Sequence, residues 1–268
     1  MVYLLTYTTK CDILANVFGN KAILCRVPCK IKNSVRRESK TESIIITGFQ
    51  KLTLLDFPGT VACTVFTHGC NFRCPFCHNA SLVCTPAQNI SAEEFLQFLK
   101  SRQGILEGVA VTGGEPTLHR GLPGFLANIK DLGYKVKLDT NGTNPDMVKE
   151  LCNSGLTDRI AMDIKDAPEL YGNSVGTTGY DIAKITETKD FLLGGSTDYE
   201  FRTTLVKGIH TKQSIKDAAK WIAGAKEYYL QQFINSGDLI NAEGLGGFSK
   251  EEMGEFLSEV LPIIPTAK

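Results

Sequence analysis

Short runs of branched and aromatic residues recur along the chain and predict β-strands, because Val, Ile, Thr and aromatic side chains are enriched in strands. Six such runs cover residues 60–67, 108–112, 134–139, 158–164, 198–206 and 227–233. Segments with the apolar spacing of amphipathic helices separate most of these runs. Before residue 44, neither a helical nor a strand period is clear.

Capping residues mark where the helices begin. Ser91 and Glu94 form a capping-box pattern ahead of an apolar face in residues 92–102. Asn144 and Pro145 supply a cap and a first-turn proline for a helix that begins at residue 145. Further helices are predicted over residues 122–133, which end on Gly133, and over 180–193, 212–224 and 249–260.

This alternation of elements predicts the fold class. Strands that alternate with helices form right-handed βαβ units around a parallel sheet. Six units are fewer than the eight of a closed barrel, so we expect an α/β fold, an open, partial (β/α)6 barrel with outer helices. The core is predicted over residues 44–240 and a C-terminal helical tail over 241–268. Residues 1–43 carry eight lysines or arginines and predict a basic extension, disordered or loosely packed.

Composition narrows the class of function. The formal net charge is zero, so no overall field favours nucleic acid or an anionic membrane as a partner. The chain has no run of 18 apolar residues and no basic start typical of an export signal, so we expect a cytoplasmic protein. Nine cysteines in a reducing compartment favour a metal or redox role over disulfides.

Three of the cysteines follow the first predicted barrel strand. Cys70, Cys74 and Cys77 have the spacing C-x3-C-x2-C in the string GCNFRCPFCHN. Iron–sulfur clusters normally use four thiolates, one for each iron. Three thiolates therefore leave one iron open to another ligand.

Two other interpretations of the triplet are weaker. Cysteines at this spacing would share one face of a buried helix, but Gly69 and Pro75 disfavour a continuous helix here. A zinc site would need a fourth ligand, and His78 is poorly spaced for it because it directly follows Cys77.

The remaining cysteines predict no second cluster. Cys25 and Cys29 form the string CRVPC, but Lys32 occupies the third position of the spacing. Cys63 and Cys152 are interpreted as thiols of the core. Isolated cysteines also occur at positions Cys11 and Cys84.

With an aromatic residue before its last cysteine, the triplet resembles the signature of the radical S-adenosylmethionine (SAM) superfamily. The longer string FQKLTLLDFPGTVACTVFTHGCNFRCPFCHN, residues 49–79, resembles activating enzymes of glycyl-radical enzymes. It is most similar to the activating proteins of anaerobic ribonucleoside-triphosphate reductases. The resemblance spans about residues 44–240, and Phe76 stands where family members often have Tyr.

This resemblance implies an enzyme with a radical SAM barrel and one [4Fe–4S] cluster per chain, held by Cys70, Cys74 and Cys77. SAM would bind the open iron, and an electron from a flavodoxin or ferredoxin would cleave it. The resulting 5′-deoxyadenosyl radical would remove a hydrogen atom from a glycine of a partner enzyme, here an anaerobic (class III) ribonucleotide reductase.

Polar motifs lie at the ends of the next two predicted strands, where barrel active sites gather. In GGEP, the glycines allow close approach of a ligand, and the resemblance implies that Gly113, Gly114 and Glu115 bind the methionine end of SAM. In DTNG, Asp139 is predicted to accept a hydrogen bond from SAM or to bind a cation. The alternatives are an ordinary strand-to-loop turn and an Asx-turn.

The fourth and fifth strands add charged candidates. Asp163 and Lys165 of MDIK lie two residues apart on one strand face, and the lysine suits the carboxylate of SAM. A solvated surface lysine is the alternative. Arg202 interrupts an otherwise apolar strand, so it needs a partner or an opening to water. The resemblance places these residues near SAM.

Aromatic and amide side chains complete the predicted site. Phe76 and His78 flank the last cysteine, and His78 is predicted to contact SAM through its backbone. Gln232, on the last strand, is predicted to approach the adenine. His119 and His210 are interpreted as structural or surface residues.

Two other functions fit parts of the pattern. One is a radical SAM enzyme that acts on another glycyl-radical enzyme or on a small molecule. The other is a non-catalytic module that binds zinc or senses redox state. The order of GGEP, DTNG and DIK along successive strands argues against this second alternative.

Overall fold

The computed structural model describes residues 44–84, 89–235 and 237–268, so the predicted basic extension, residues 1–43, lies outside the described part of the chain. Within that part, seven strands form one sheet in chain order. They are β1 (Ile46–Thr53), β2 (Ala62–Thr67), β3 (Gly108–Gly113), β4 (Lys135–Thr140), β5 (Arg159–Asp163), β6 (Asp198–Leu205) and β7 (Tyr228–Gln232). β1 is antiparallel to β2, and the later neighbours are parallel.

Helices fill every crossover between the parallel strands, and one more follows β7. They are α1 (Ala80–Cys84), α2 (Ala92–Lys100), α3 (Leu122–Asp131), α4 (Pro145–Asn153), α5 (Tyr171–Val175), α6 (Ile182–Leu193), α7 (Lys212–Trp221) and α8 (Lys250–Val260), with 3₁₀ turns at Pro116–Leu118 and Pro168–Leu170. This arrangement confirms the α/β partial (β/α)6 barrel. β1 and β7 are the two ends of the strand order, so the barrel is open between them.

The six predicted strands are confirmed, with bounds that differ by about two residues or less. The central residues of β3, β4 and β5 are buried, as expected for parallel strands covered on both faces, whereas those of β7 are partly exposed. The sequence analysis missed β1. Its sequence, ITGFQKLT, is half-exposed, and its pairing with β2 is irregular at two places. A strand at the edge of a sheet therefore lacks the continuous apolar run that revealed the others.

Two of the predicted helices begin at the caps expected for them. Ser91 Oγ accepts a hydrogen bond from Glu94 N at 3.0 Å, and Asn144 Oδ1 accepts one from Met147 N at 3.4 Å. The full reciprocal capping box forms at α8, where the side chain of Ser249 and that of Glu252 each bond the other's backbone N–H. Each bond satisfies a donor of the first helical turn.

The C-terminal helix joins the same apolar core as the barrel. Phe256 and Val260 of α8 are buried, and α8 packs on α7 and β7. Ion pairs also join the two helices, including Lys216 Nζ with Glu259 Oε2 at 2.8 Å. In the described part of the chain, no helix is long and apolar enough to cross a membrane.

A contact between α5 and the loop after β2 bears on the site. Gly176 ends α5 in the left-handed conformation, with φ of +64°. The preceding carbonyl, Val175 O, accepts a hydrogen bond from Arg73 N at 2.8 Å. A Cβ atom on Gly176 would collide with the main-chain carbonyl of Arg73. Glycine therefore lets the two backbones meet.

This contact predicts unequal effects of two glycine substitutions. Gly155 has nearly the same φ, +67°, but open space around its Cβ position. Gly155→Ala should cost only the left-handed strain, about 1–2 kcal/mol of unfolding free energy. Gly176→Ala should cost about 1–3 kcal/mol more, because of the collision. Urea denaturation measures both, and equal losses would contradict the contact.

Candidate active site

The predicted cysteines lie on the loop between β2 and α1. Cys74 is buried, and Cys70 and Cys77 are partly buried. All three line one cavity of about 440 Å³. This cavity also takes residues from the carboxyl ends of β3 to β6, where the sequence predicted an active site.

Main-chain hydrogen bonds hold this loop in place from three directions. Gly69 O accepts from Glu115 N at 2.8 Å, after β3. Arg73 N donates to the end of α5, as described above. Pro75 O accepts from Asn241 N at 3.0 Å, in the segment before α8. The thiol positions therefore depend on rigid neighbours more than on the loop itself.

The donor set fits an iron–sulfur cluster. Within residues 44–84, 89–235 and 237–268, no three His, Cys, Asp or Glu side chains gather where one metal ion would bind. The three thiols are arranged around a common cavity, which suits a cluster with one cysteine on each of several irons. Burial raises the pKa of Cys70 to about 12 and that of Cys74 to about 11. Ligation must therefore displace protons from the thiols.

The GGEP motif brings the end of β3 against the cysteine loop. A Cβ atom on Gly114 would collide with Gly69 O, so only glycine allows this approach. Gly114 N donates to Thr67 O at 3.0 Å, and Gly113 O accepts from Asn79 Nδ2 at 3.2 Å. Both predicted glycines line the cavity.

Glu115 borders the cavity, but its carboxylate is engaged by the protein. It is 1% exposed, and its Oε1 accepts from Thr117 N at 3.1 Å, Thr117 Oγ1 at 2.5 Å and Thr140 Oγ1 at 2.8 Å. Its Oε2 accepts from Asn141 N at 2.6 Å. Burial raises the pKa of Glu115 despite these four bonds. The side chain thus joins the ends of β3 and β4, and its predicted binding of SAM stays a prediction.

Charged side chains inside the barrel pair in a continuous series, which we call the charge chain. Its members are, in order of contact, Arg159, Glu200, Lys137, Asp139, Arg202, Asp163 and Lys165. The last four line the cavity, and all four were predicted. The structure therefore brings these predicted residues together, each already paired with a neighbour.

Asp139 and Asp163 each divide their two oxygens between two cations. Asp139 accepts from Lys137 at 2.7 Å through Oδ1 and from Arg202 at 3.2 Å through Oδ2. Asp163 accepts from Arg202 at 2.9 Å and 3.0 Å through Oδ1, and from Lys165 at 2.9 Å through Oδ2. Arg202, which needed a partner, thus has two.

These pairs set the ionisation of the cavity. Burial alone would raise the pKa of Asp163, but Lys165 and Arg202 together lower it below its usual range. Burial would lower the pKa of Lys165, yet Asp163 and the Cys74 thiol raise it above its usual range. The side chains of Asp163, Lys165 and Arg202 are therefore all charged at neutral pH.

The remaining predicted residues also reach the cavity, with one exception. Phe76 and His78 line it, and the His78 ring stacks on Phe233 at 5.2 Å between centroids. Gln232 is the exception. Its amide donates to Phe248 O at 2.7 Å, and Gln231 lines the cavity instead. Successive residues of a strand face opposite sides, so an error of one position reverses the side chain.

His119 and His210 have the structural roles that were expected. His119 Nε2 hydrogen-bonds His68 O at 2.9 Å. His210 is buried, and its Nδ1 accepts from Val206 N at 3.0 Å. Its Nε2 is therefore the protonated nitrogen, which donates to Lys165 O at 2.8 Å.

Sequence reasoning missed several polar residues of the cavity. Some come from β1 and the turn after it, which gave no strand signal, some from inward positions of the predicted strands β2 and β6, and two from the loops that follow Cys77 and β4. They are Gln50, Asp56, Thr64, Asn79, Asn141 and Thr204. Asn141 lies within the DTNG motif, so that motif was the signal that could have identified it.

The Glu115 contacts predict a loss of stability on removal of its charge. Glu115→Gln replaces one acceptor oxygen with a donor, so buried donors of Thr117 or Asn141 lose their partner. The free energy of unfolding should fall by about 2–3 kcal/mol. Glu107→Gln, at an exposed position just before β3, is the matched control and should change stability little. Similar losses in chemical denaturation of the two variants would contradict this role.

Comparison with known proteins places this geometry in a family. The model of the radical SAM superfamily matches residues 64–227 of the chain. A candidate glycyl-radical enzyme activating enzyme of Methanocaldococcus jannaschii is 31% identical over 196 residues, which are 70% of this chain and 80% of that protein.

Solved structures share the fold. SuiB of Streptococcus suis bound to S-adenosylmethionine has a TM-score of 0.57 and 14% identity, and the match covers 72% of this chain and 45% of SuiB. A domain of a pyruvate-formate lyase-activating enzyme from Bacteroides vulgatus has a TM-score of 0.50 and 18% identity, over 60% of this chain and 98% of that domain. At these identities the structures establish the fold alone.

The family match covers more than half of the chain, and it contains the cysteine triplet and the strand ends that line the cavity. The chain is therefore an enzyme of the radical SAM superfamily, which binds a [4Fe–4S] cluster and SAM, and within it groups with the glycyl-radical enzyme activating enzymes.

Proposed function

We propose that this protein activates a partner enzyme by generating a glycyl radical on it, and that the partner is an anaerobic (class III) ribonucleoside-triphosphate reductase. The observation that carries the proposal is that the three thiols of the triplet line the same cavity as Gly113, Gly114, Asp139, Asp163, Lys165 and Arg202. The relative in M. jannaschii bears the name of a glycyl-radical enzyme activating enzyme. The residue string 49–79 supports the reductase as partner.

Different groups of the protein would bind the cluster and the two ends of the methionine part of SAM. When bound, the cluster and SAM would supply the one-electron chemistry of the reaction. Cys70, Cys74 and Cys77 would hold the cluster. Lys165 uses one ammonium proton on Asp163, so others remain to bind the carboxylate of SAM. The Gly113–Gly114 backbone would approach its amino group.

Substrate access is proposed through the open side of the barrel. The cavity is bordered by Gln50, Asp56 and Thr64 near β1 and by Thr204 and Gln231 near β7. These amide, carboxylate and hydroxyl groups can exchange hydrogen bonds with the N–H and C=O groups of a peptide. A glycine loop of the partner would enter between the two ends of the sheet, where no strand of the described residues closes the barrel.

Loss of one cluster ligand should abolish SAM cleavage. After anaerobic reconstitution with iron and sulfide, dithionite reduction with SAM should yield 5′-deoxyadenosine from the native chain and none above background from Cys74→Ala. Cys84→Ala is the matched control, since Cys84 is exposed and outside the cavity. The Cys84→Ala variant should retain activity. Loss of activity in this variant would contradict a site made of three cysteines. Mass spectrometry measures the product.

The partner proposal predicts a protein radical. Incubation with a class III ribonucleotide reductase, SAM and a reductant should give the electron paramagnetic resonance doublet of a glycyl radical on the reductase. Substitution of the reductase's radical glycine by alanine should remove it. Production of 5′-deoxyadenosine without that signal would contradict the reductase as partner and favour another glycyl-radical enzyme or a small-molecule substrate.

A further inference from the structure

The lower half of the charge chain, which consists of Arg159, Glu200 and Lys137, lies outside the cavity. It has no role in the function described so far. Lys137, in the middle of β4, is 1% exposed and does not border the cavity. Glu200 on β6 is 3% exposed and likewise lies away from the cavity. Inward positions of barrel strands usually carry bulky apolar residues, so buried charges here need a reason.

Lys137 links this lower half to the cavity. Its Nζ donates to Asp139 Oδ1 at 2.7 Å and lies 3.4 Å from Glu200 Oε1. Glu200 also pairs with a second cation, Arg159, whose Nε and Nη2 donate to Glu200 Oε2 at 3.1 Å and 2.7 Å. Without Lys137, Glu200 would keep this forked contact, whereas Asp139 would keep only Arg202.

The effect on Asp139 would extend to the cations that face the cavity. Arg202 donates to Asp163 through Nε and Nη2, and to Asp139 through Nη1. An Asp139 freed from Lys137 can turn both oxygens toward Arg202 and compete with Asp163 for it. Since Asp163 also holds Lys165, the positions of both cavity cations depend on where Asp139 is held.

We propose that Lys137 is a positioning residue for SAM binding: it fixes Asp139 so that Arg202 and Lys165 are presented to the cavity in one arrangement. This inference rests on the proposed roles of those two cations. Lys137 does not border the cavity, and it acts through a contact analogous to the hydrogen bonds that orient the ligands of metal sites.

The direct test is Lys137→Met, which keeps the length of the side chain and removes its charge. Equilibrium dialysis of the reconstituted full chain should show a Kd for SAM raised about tenfold, as for the loss of other orienting contacts. The KM for SAM in 5′-deoxyadenosine formation should rise with it. Lys137→Gln, which is shorter, is the second variant should the methionine variant not fold, and the same direction is expected.

Two controls separate positioning from other effects. Lys189→Met removes another buried lysine, paired with Asp190 and over the Trp221 ring in the outer layer, and should leave the Kd for SAM within about twofold. Lys137→Met with Glu200→Gln restores the charge balance but not the contact with Asp139, so its Kd should stay raised.

The outcomes are distinct. A folded Lys137→Met or Lys137→Gln variant with full iron content and an unchanged Kd would overturn the inference. So would recovery of the native Kd in the Lys137→Met, Glu200→Gln variant, because charge balance alone would then explain the effect. Failure of the native chain itself to bind SAM would instead overturn the proposed function.

Discussion

The site depends on the requirement that charges inside the barrel be paired. Strands β4, β5 and β6 each turn two charged side chains inward, and an unpartnered buried charge costs several kcal/mol. Lys137 and Arg159 are direct neighbours in the strand register and would repel each other, but Glu200 bonds both. Charges of opposite sign thus alternate from the lower barrel to the cavity, and this alternation orients the side chains presented there.

A different kind of interaction holds the cysteine loop. Main-chain bonds with Glu115, Val175 and Asn241 fix its backbone, and glycines at Gly114 and Gly176 let the neighbouring segments approach closely. The proposed cluster ligands and the proposed SAM-binding cations therefore rest on separate supports that meet at one cavity. Such preorganisation reduces the conformational freedom lost when ligands bind.

Periodicity and capping predicted much of the fold, since they depend on residues close in sequence. Parallel strands such as β2, β3 and β5 are buried and appear as apolar runs, and Asn144 and Ser249 cap helices that begin where expected. β1 was not predicted, because an edge strand such as ITGFQKLT is half-exposed and lacks a continuous apolar run. Gln231 was missed in favour of Gln232 because composition alone does not say which face of a strand turns inward.

By itself, the sequence determined the chemistry: the spacing of Cys70, Cys74 and Cys77 is local, so the donor set can be read directly from the chain. The polar residues at the strand ends were predictable for the same reason. Only the tertiary structure decided how they are used. It occupied the carboxylate of Glu115 with four protein donors, two of them from the end of β4, and it placed Glu200 of β6 beside Lys137, which holds Asp139. The contacts between different strands join residues that lie 25 to 63 positions apart, and only the strand register brings them within hydrogen-bond distance.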